Sequence, residues 1–309
     1  MKYVFGPVPS RRLGMSLGVD IVLFKTCTLD CIYCQLGITT KKTIDRDDFV
    51  PQDAVLAEIR EVVKKENVDF ITFSGSGEPT LNSQLGEMIR RVKDFTDTPV
   101  AVITNGSLLY RDDVRKDLCE ADLVVPSLDA ITDSTLEKIN RNHEGLTAKM
   151  LIDGLKDFTQ QFKGKIWLEI LIVRGINDDI EELKQMADIV RDLRLDKIQL
   201  NTVDRPPAEE FARPITADEM QNIAKLFDNR VEVIADFDKI VNRKTLDEES
   251  AEDRILSLVK RRPCTADDIS SSLGLHINEV IKHLNHLSKS ESIKQVRRGD
   301  KWYFEPAIR

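Results

Sequence analysis

The sequence predicts an α/β protein with an open, partial (β/α)6-type barrel over residues 1–235, a linker at 236–250 and a C-terminal winged helix over 251–309. Three observations lead there. Short apolar runs alternate with helical patterns of ten or more residues, which implies parallel strands joined by right-handed crossovers. Polar and glycine-rich loops follow the apolar runs, and in a parallel barrel such loops share one rim. After Ala235 the alternation stops and a different pattern begins.

Residues 3–18 read as irregular, punctuated by Pro7, Pro9, Gly14 and Gly18. A first apolar strand is expected at 19–24, followed by Cys27-Thr28-Leu29-Asp30-Cys31-Ile32-Tyr33-Cys34. Helical spacing at Ala54, Val55, Ile59, Val62 and Val63 precedes a strand at 68–73, and a helix around Leu85, Met88, Ile89 and Val92 precedes one at 100–103. Further strands are expected at 123–128, 166–173, 197–200 and 231–234, with helices near 110–119, 147–162, 179–193 and 216–227. Six or seven such units fall short of the eight of a closed barrel, hence the open form. Residues 236–250 are charged and weakly apolar, as a linker would be. Beyond them come helical patterns at Ile255, Leu256 and Leu258, at Ile269 and Leu273, and at Val280, Ile281, Leu284 and Leu287, with Gly274 at the turn. Residues 293–304 then read as two strands around Arg298-Gly299-Asp300, completing a winged helix.

At 309 residues, 41% hydrophobic and 32% charged, the chain can bury a core. No apolar run approaches the roughly 18 residues of a membrane span, and the N-terminus has no apolar signal core, so a cytoplasmic protein with no membrane partner is expected. Of five cysteines, three crowd into eight residues and two lie far apart, which suits a reducing compartment better than a disulfide framework. Residues 250–309 hold 11 Lys or Arg against 8 Asp or Glu, a net +3, so the preceding residues carry −11 of the total −8. A mildly basic tail permits a nucleic-acid contact without demanding one.

Three thiolates on one short loop can converge on a thiophilic metal or an iron–sulfur cluster and leave a coordination position open, whereas a structural zinc site closes with four protein ligands. Cys27, Cys31 and Cys34, spaced Cys-x3-Cys-x2-Cys with Tyr33 before the last, resemble the cluster motif of the radical S-adenosylmethionine superfamily. The resemblance implies a 4Fe–4S cluster on these three residues, with its fourth iron chelated by the amino and carboxylate groups of S-adenosylmethionine. It further implies an iron–sulfur oxidoreductase that cleaves this cofactor reductively to a 5′-deoxyadenosyl radical and abstracts hydrogen from a substrate. An electron donor such as flavodoxin or ferredoxin belongs to the same expectation. Ser76-Gly77-Glu78-Pro79 resembles the family's Gly-Gly-Glu-Pro segment with Ser76 for the first glycine, implying a close backbone approach at Gly77 and pairing of Glu78 with the cofactor's ammonium. Ser127-Leu128-Asp129 resembles the family's fourth-strand segment, so that Ser127 meets the cofactor's polar groups and Asp129 its ribose. Thr104-Asn105-Gly106 matches a turn common in the family. Tyr33, Asn105 and Glu169 complete the expected cofactor contacts, and Thr104, Arg174 and Asn201 are substrate candidates. Taken alone, these loops are also ordinary strand-to-helix turns.

Residues 5–14 and 200–207 resemble a subgroup related to tRNA wyosine-base synthases and to the molybdopterin-precursor cyclase. By that resemblance Arg11 or Arg12 binds a phosphate-bearing end of the substrate; capping or an acidic neighbour is the plainer reading. Wyosine synthases hold a second cluster, for which Cys119 and Cys264 are too few, and both read as structural. The barrel resemblance ends near residue 235. In the tail, Lys282, His283 and His286 on one helix and Arg297, Arg298 and Lys301 on the wing could face tRNA or another nucleic acid, or the unit could dock protein. A second function class therefore stays open, an iron–sulfur redox sensor or regulator that binds nucleic acid through the winged helix.

Overall fold

The computed structural model of the chain describes residues 2–10, 12–204, 207–235, 237, 251–261, 263–273, 275–298 and 301–307. Arg11, the expected linker apart from Phe237, the Gly274 turn and the Gly299-Asp300 tip lie outside them. The N-terminus differs from the irregular segment expected. Strands β1 (Val4–Ser10) and β2 (Gly14–Val19) pair antiparallel as a hairpin. Pro7 and Pro9 disguise β1, and both are tolerated because β1 is the outer edge of the sheet, where a missing N–H breaks no inner ladder. Gly18 admits the Phe5 ring, since a Cβ there would stand 2.1 Å from it. The first parallel strand therefore ends at Val19, and residues 20–24 form the loop that follows it rather than the strand itself.

After the two-residue strands β3 (Thr26–Cys27) and β4 (Lys41–Lys42), the chain alternates as α1 (Gln52–Val63), β5 (Phe70–Phe73), α2 (Leu85–Lys93), β6 (Val100–Thr104), α3 (Asp112–Leu118) and β7 (Leu123–Pro126). It continues through α4 (Asp133–Asn140), α5 (Ala148–Gln161), β8 (Lys165–Ile172), α6 (Ile180–Arg191), β9 (Lys197–Thr202), α7 (Ala217–Ala224) and β10 (Val231–Val233). The sheet order β1-β2-β5-β6-β7-β8-β9-β10 is parallel from β2 onward, and among the described residues its two end strands, β1 and β10, do not pair with each other. That is an open partial barrel. Helix α4 was not expected; it is eight residues long, starts at Thr132, whose side chain accepts from the Thr135 amide, and ends at Arg141 with φ 44°.

Strand alternation divides the two faces of the sheet. Val100, Val102, Val124, Ile166, Leu168, Ile170 and Ile198 pack with helix residues such as Phe158 and Met186 in the main core. The opposite, concave face holds Leu13 from the hairpin turn against Ala101, Leu123 and Val125. The hairpin turn thus plugs the lower part of the concave face and leaves its C-terminal rim for the loops.

The C-terminal unit comprises α8 (Ala251–Arg261), α9 (Ala266–Leu273), α10 (Ile277–Lys289) and the antiparallel hairpin β11 (Ile293–Arg298) and β12 (Lys301–Pro306). It has its own core of Ile255, Val259, Cys264, Ile269, Val280, Leu284, Leu287 and Ile293. No helix among the described residues is long and apolar enough to cross a membrane.

Candidate active site at the cysteine loop

The loop carrying Cys27, Cys31 and Cys34 is held by groups that a helix and its neighbours would otherwise leave unpaired. The last carbonyls of α4 have no partner within the helix. The Asp30 amide donates to Asn140 O at 2.8 Å and the Ile32 amide to Ile139 O at 3.0 Å. Thr43 N bonds Cys27 O at 3.0 Å, and Lys25 N bonds Ser76 O at 2.8 Å. Gly77 closes the turn beneath the loop, because a Cβ there would stand 1.9 Å from the Thr26 carbonyl oxygen.

All three cysteines are free thiols, and each sulfur faces a nitrogen donor. Lys25 Nζ is 3.2 Å from Cys34 Sγ, Asn140 Nδ2 is 3.2 Å from Cys31 Sγ, and Asn105 Nδ2 is 3.5 Å from Cys27 Sγ. Burial pushes the Cys27 thiol up to about 12, with the charge of Glu78 adding to it. Burial also raises Cys31, followed by the neighbouring Cys27 and Asp129. Both are therefore thiols at neutral pH until a cationic group displaces their protons. Sulfur donors with N–H groups directed at them form the usual setting of an iron–sulfur group, where such hydrogen bonds tune the sulfurs. The donor types suit that group, although the three cysteines do not converge on a single metal-ion position. Among the described residues, no three His, Cys, Asp or Glu side chains are disposed around one metal-ion position.

The strand-end loops predicted from sequence come together around the sulfurs. Glu78 is 1% exposed. Its Oε1 accepts from the Thr80 amide and hydroxyl at 3.0 and 2.6 Å and from the Thr104 hydroxyl at 2.6 Å; its Oε2 accepts from the Asn105 amide at 2.8 Å. Burial raises its carboxyl despite these donors. Glu78 thus fixes Asn105, whose amide group reaches Cys27 and Thr28 Oγ1, the latter at 2.8 Å. Asp129 is likewise buried and raised, with Oδ2 accepting from Tyr33 Oη at 2.5 Å and Asn140 Nδ2 at 3.0 Å, and Oδ1 from the Leu171 amide at 3.0 Å. It fixes Tyr33 between the second and third cysteines. Ser127 is half-buried beside them, its amide on Thr104 O at 3.1 Å and its backbone bridged to Glu169.

Other predicted residues lie elsewhere. Arg12 and Glu169 bind each other at 2.7 Å across the concave face, with Asn201 Nδ2 on the second Glu169 oxygen at 2.9 Å and Gln199 also within reach of Arg12 at 3.4 Å. Arg174 points away, its guanidinium paired with Glu219 at the start of α7. In the tail, His283 and His286 face Glu252 of α8, and Arg297 lies over the Trp302 ring. Cys264 is buried in the second core, whereas Cys119 is exposed at the end of α3. Sequence reasoning missed Lys25, two residues before Cys27, and Asn140, which spacing does not connect with the motif.

Residues 21–187 match the Radical SAM superfamily. The chain is 37% identical over 296 residues to a GTPase Obg of Brachyspira hyodysenteriae, covering 95% of this chain but only 44% of that protein. With the UPF0026 protein MJ1312 of Methanocaldococcus jannaschii it shares 34% identity over 282 residues, 89% of this chain and 87% of that one. A radical SAM methyltransferase from Sphaerobacter thermophilus superposes with a TM-score of 0.54 at 18% identity, covering 71% of this chain and 66% of that one, a likeness of fold.

Proposed function

The chain belongs to the radical SAM superfamily, and on that premise we propose that it is an enzyme that cleaves S-adenosylmethionine reductively at one 4Fe–4S cluster held by Cys27, Cys31 and Cys34. The observation that carries this reading is the set of three free thiols on one loop, each with its own nitrogen donor. Cys27, Cys31 and Cys34 would hold the cluster, and the chemistry available there when it is bound is one-electron reduction of the sulfonium, breaking a carbon–sulfur bond to release methionine and a 5′-deoxyadenosyl radical able to abstract hydrogen. A flavodoxin- or ferredoxin-type donor would deliver that electron.

The chain's own residues would prepare the setting. Lys25, Asn105 and Asn140 offset the negative charge of the thiolates and fix their directions. Glu78 and Asp129 have most of their oxygen lone pairs satisfied by protein donors, so they act chiefly by holding Asn105 and Tyr33 in place. Ser127, half-buried at the end of β7, would meet the cofactor's polar groups, and the concave face with Arg12, Glu169 and Asn201 is where a substrate would be met.

The test is anaerobic reduction of the reconstituted protein with S-adenosylmethionine. We expect 5′-deoxyadenosine to form, and to be lost when any one of the three cysteines is replaced by alanine. A reconstituted, reducible protein that forms none would favour the redox-sensor reading instead.

A further inference from the structure

Helix α10 of the C-terminal unit touches the supports of the cysteine loop at three places. Asn278 Nδ2 donates to Asp20 Oδ2 at 2.8 Å, and the same oxygen accepts the Ser76 hydroxyl at 2.6 Å and the Ser76 amide at 3.2 Å. Asn285 Nδ2 reaches Leu36 O at 3.4 Å, two residues past Cys34. Lys289 Nζ bonds Ala208 O at 2.7 Å, and the adjacent Glu209 amide bonds Ile32 O at 2.9 Å inside the motif. Positions 278, 285 and 289 recur at helical spacing, so one face of α10 is turned to the barrel.

The first contact differs from the other two in its burial. Asn278, Asp20 and Ser76 are 6%, 9% and 2% exposed, so the link is a desolvated carboxylate joining two donors 258 and 56 residues away in sequence. Gly75 stands against it, where a Cβ would lie 2.5 Å from the Asp20 carboxyl carbon. Ser76 in turn accepts the Lys25 amide and leads into Gly77 and Glu78. A buried carboxylate deprived of one donor reorients towards whatever donors remain; among the described residues these are the Ser76 hydroxyl and amide and the Val22 backbone, while Asp20 Oδ1 is buried with no hydrogen-bond partner.

We propose that Asn278 is a positioning residue of the site: through Asp20 and Ser76 it sets the Gly75–Glu78 turn, so the C-terminal unit governs cofactor affinity in cis. This rests on the proposed cofactor reading. The test uses the full-length, reconstituted protein as wild type, Asn278→Ala, and the exchange Asn278→Asp with Asp20→Asn, which restores one carboxylate and one amide across the same gap. Amide hydrogen exchange over residues 74–80 is expected to accelerate about tenfold in Asn278→Ala with residues 100–104 unchanged, and S-adenosylmethionine affinity to fall about tenfold at unaltered iron content. The exchanged pair should return both towards wild type. Unchanged exchange in Asn278→Ala, or loosening that the exchanged pair does not reverse, overturns the proposal. Should wild type itself bind no S-adenosylmethionine, the cofactor reading fails while the hydrogen-exchange arm still decides whether Asn278 positions the turn. Where Asn278→Ala does not fold, Asn278→Gln keeps the amide but displaces it by a methylene and is read in the same way.

Discussion

Asn140 shows how single residues assemble this site. One side chain donates to Cys31 Sγ and to the buried Asp129 carboxylate, while its carbonyl holds the Asp30 amide. Replacing it by alanine leaves a buried carboxylate short of a donor, and the expected loss is about 1.5–3 kcal/mol, read by urea unfolding of the metal-free protein. Asn140→Asp should lose more, because it places a second carboxylate against the first. Gly77→Ala is expected to lower the iron bound on reconstitution, since its Cβ must displace the Thr26 carbonyl next to Cys27; iron analysis of the folded variant checks this. The cysteine motif was legible in sequence because its spacing is local. Lys25 and Asn140 were not, because a lysine and an asparagine acquire meaning only when tertiary approach sets them 3.2 Å from a sulfur. Glu78 stood out in the sequence as part of a Gly-Glu-Pro turn, but its four protein donors could not be read from that turn.

At the scale of elements, the alternating pattern located most parallel strands because each buries one face against helices. It missed the β1–β2 hairpin, whose prolines mimic a loop, and α4, too short for a periodic signal to emerge. Phe158 and Phe162 of the α5 region stack at 5.0 Å in the main core. Phe158→Ala should cost about 3–5 kcal/mol by thermal or denaturant unfolding, as the cavity would lie between helix and sheet. His276 begins α10, with its ring 4.6 Å from Phe5 of the hairpin and Nδ1 accepting the Asn278 amide. Burial holds it down to about 4 against an ordinary 6.5, with Lys282 contributing. In the unfolded chain it binds more protons between those values, so its contribution to stability is present above about 6.5 and is lost as pH falls towards 4. Acidification from about pH 7 to about pH 5 should lower the melting temperature, and His276→Asn, which keeps a capping oxygen without titrating, should flatten that dependence.

The whole molecule joins an open parallel barrel to a separate small core, and the contact between them runs along α10. Sequence identified the helices and hairpin of that second unit because their apolar spacing is regular. It could not show that the helix weighed as a nucleic-acid or protein contact turns Asn278, Asn285 and Lys289 to the barrel, since polar residues carry no mark of which surface they face. On the function proposed above, Cys27, Cys31 and Cys34 would hold a 4Fe–4S cluster at which S-adenosylmethionine binds. Low-temperature electron paramagnetic resonance of the anaerobically reconstituted, reduced protein tests it most directly. About four irons per chain are expected, with a reduced-cluster signal whose shape changes when S-adenosylmethionine is added. A signal indifferent to S-adenosylmethionine, or one that survives replacement of Cys27, Cys31 and Cys34 together, would contradict it.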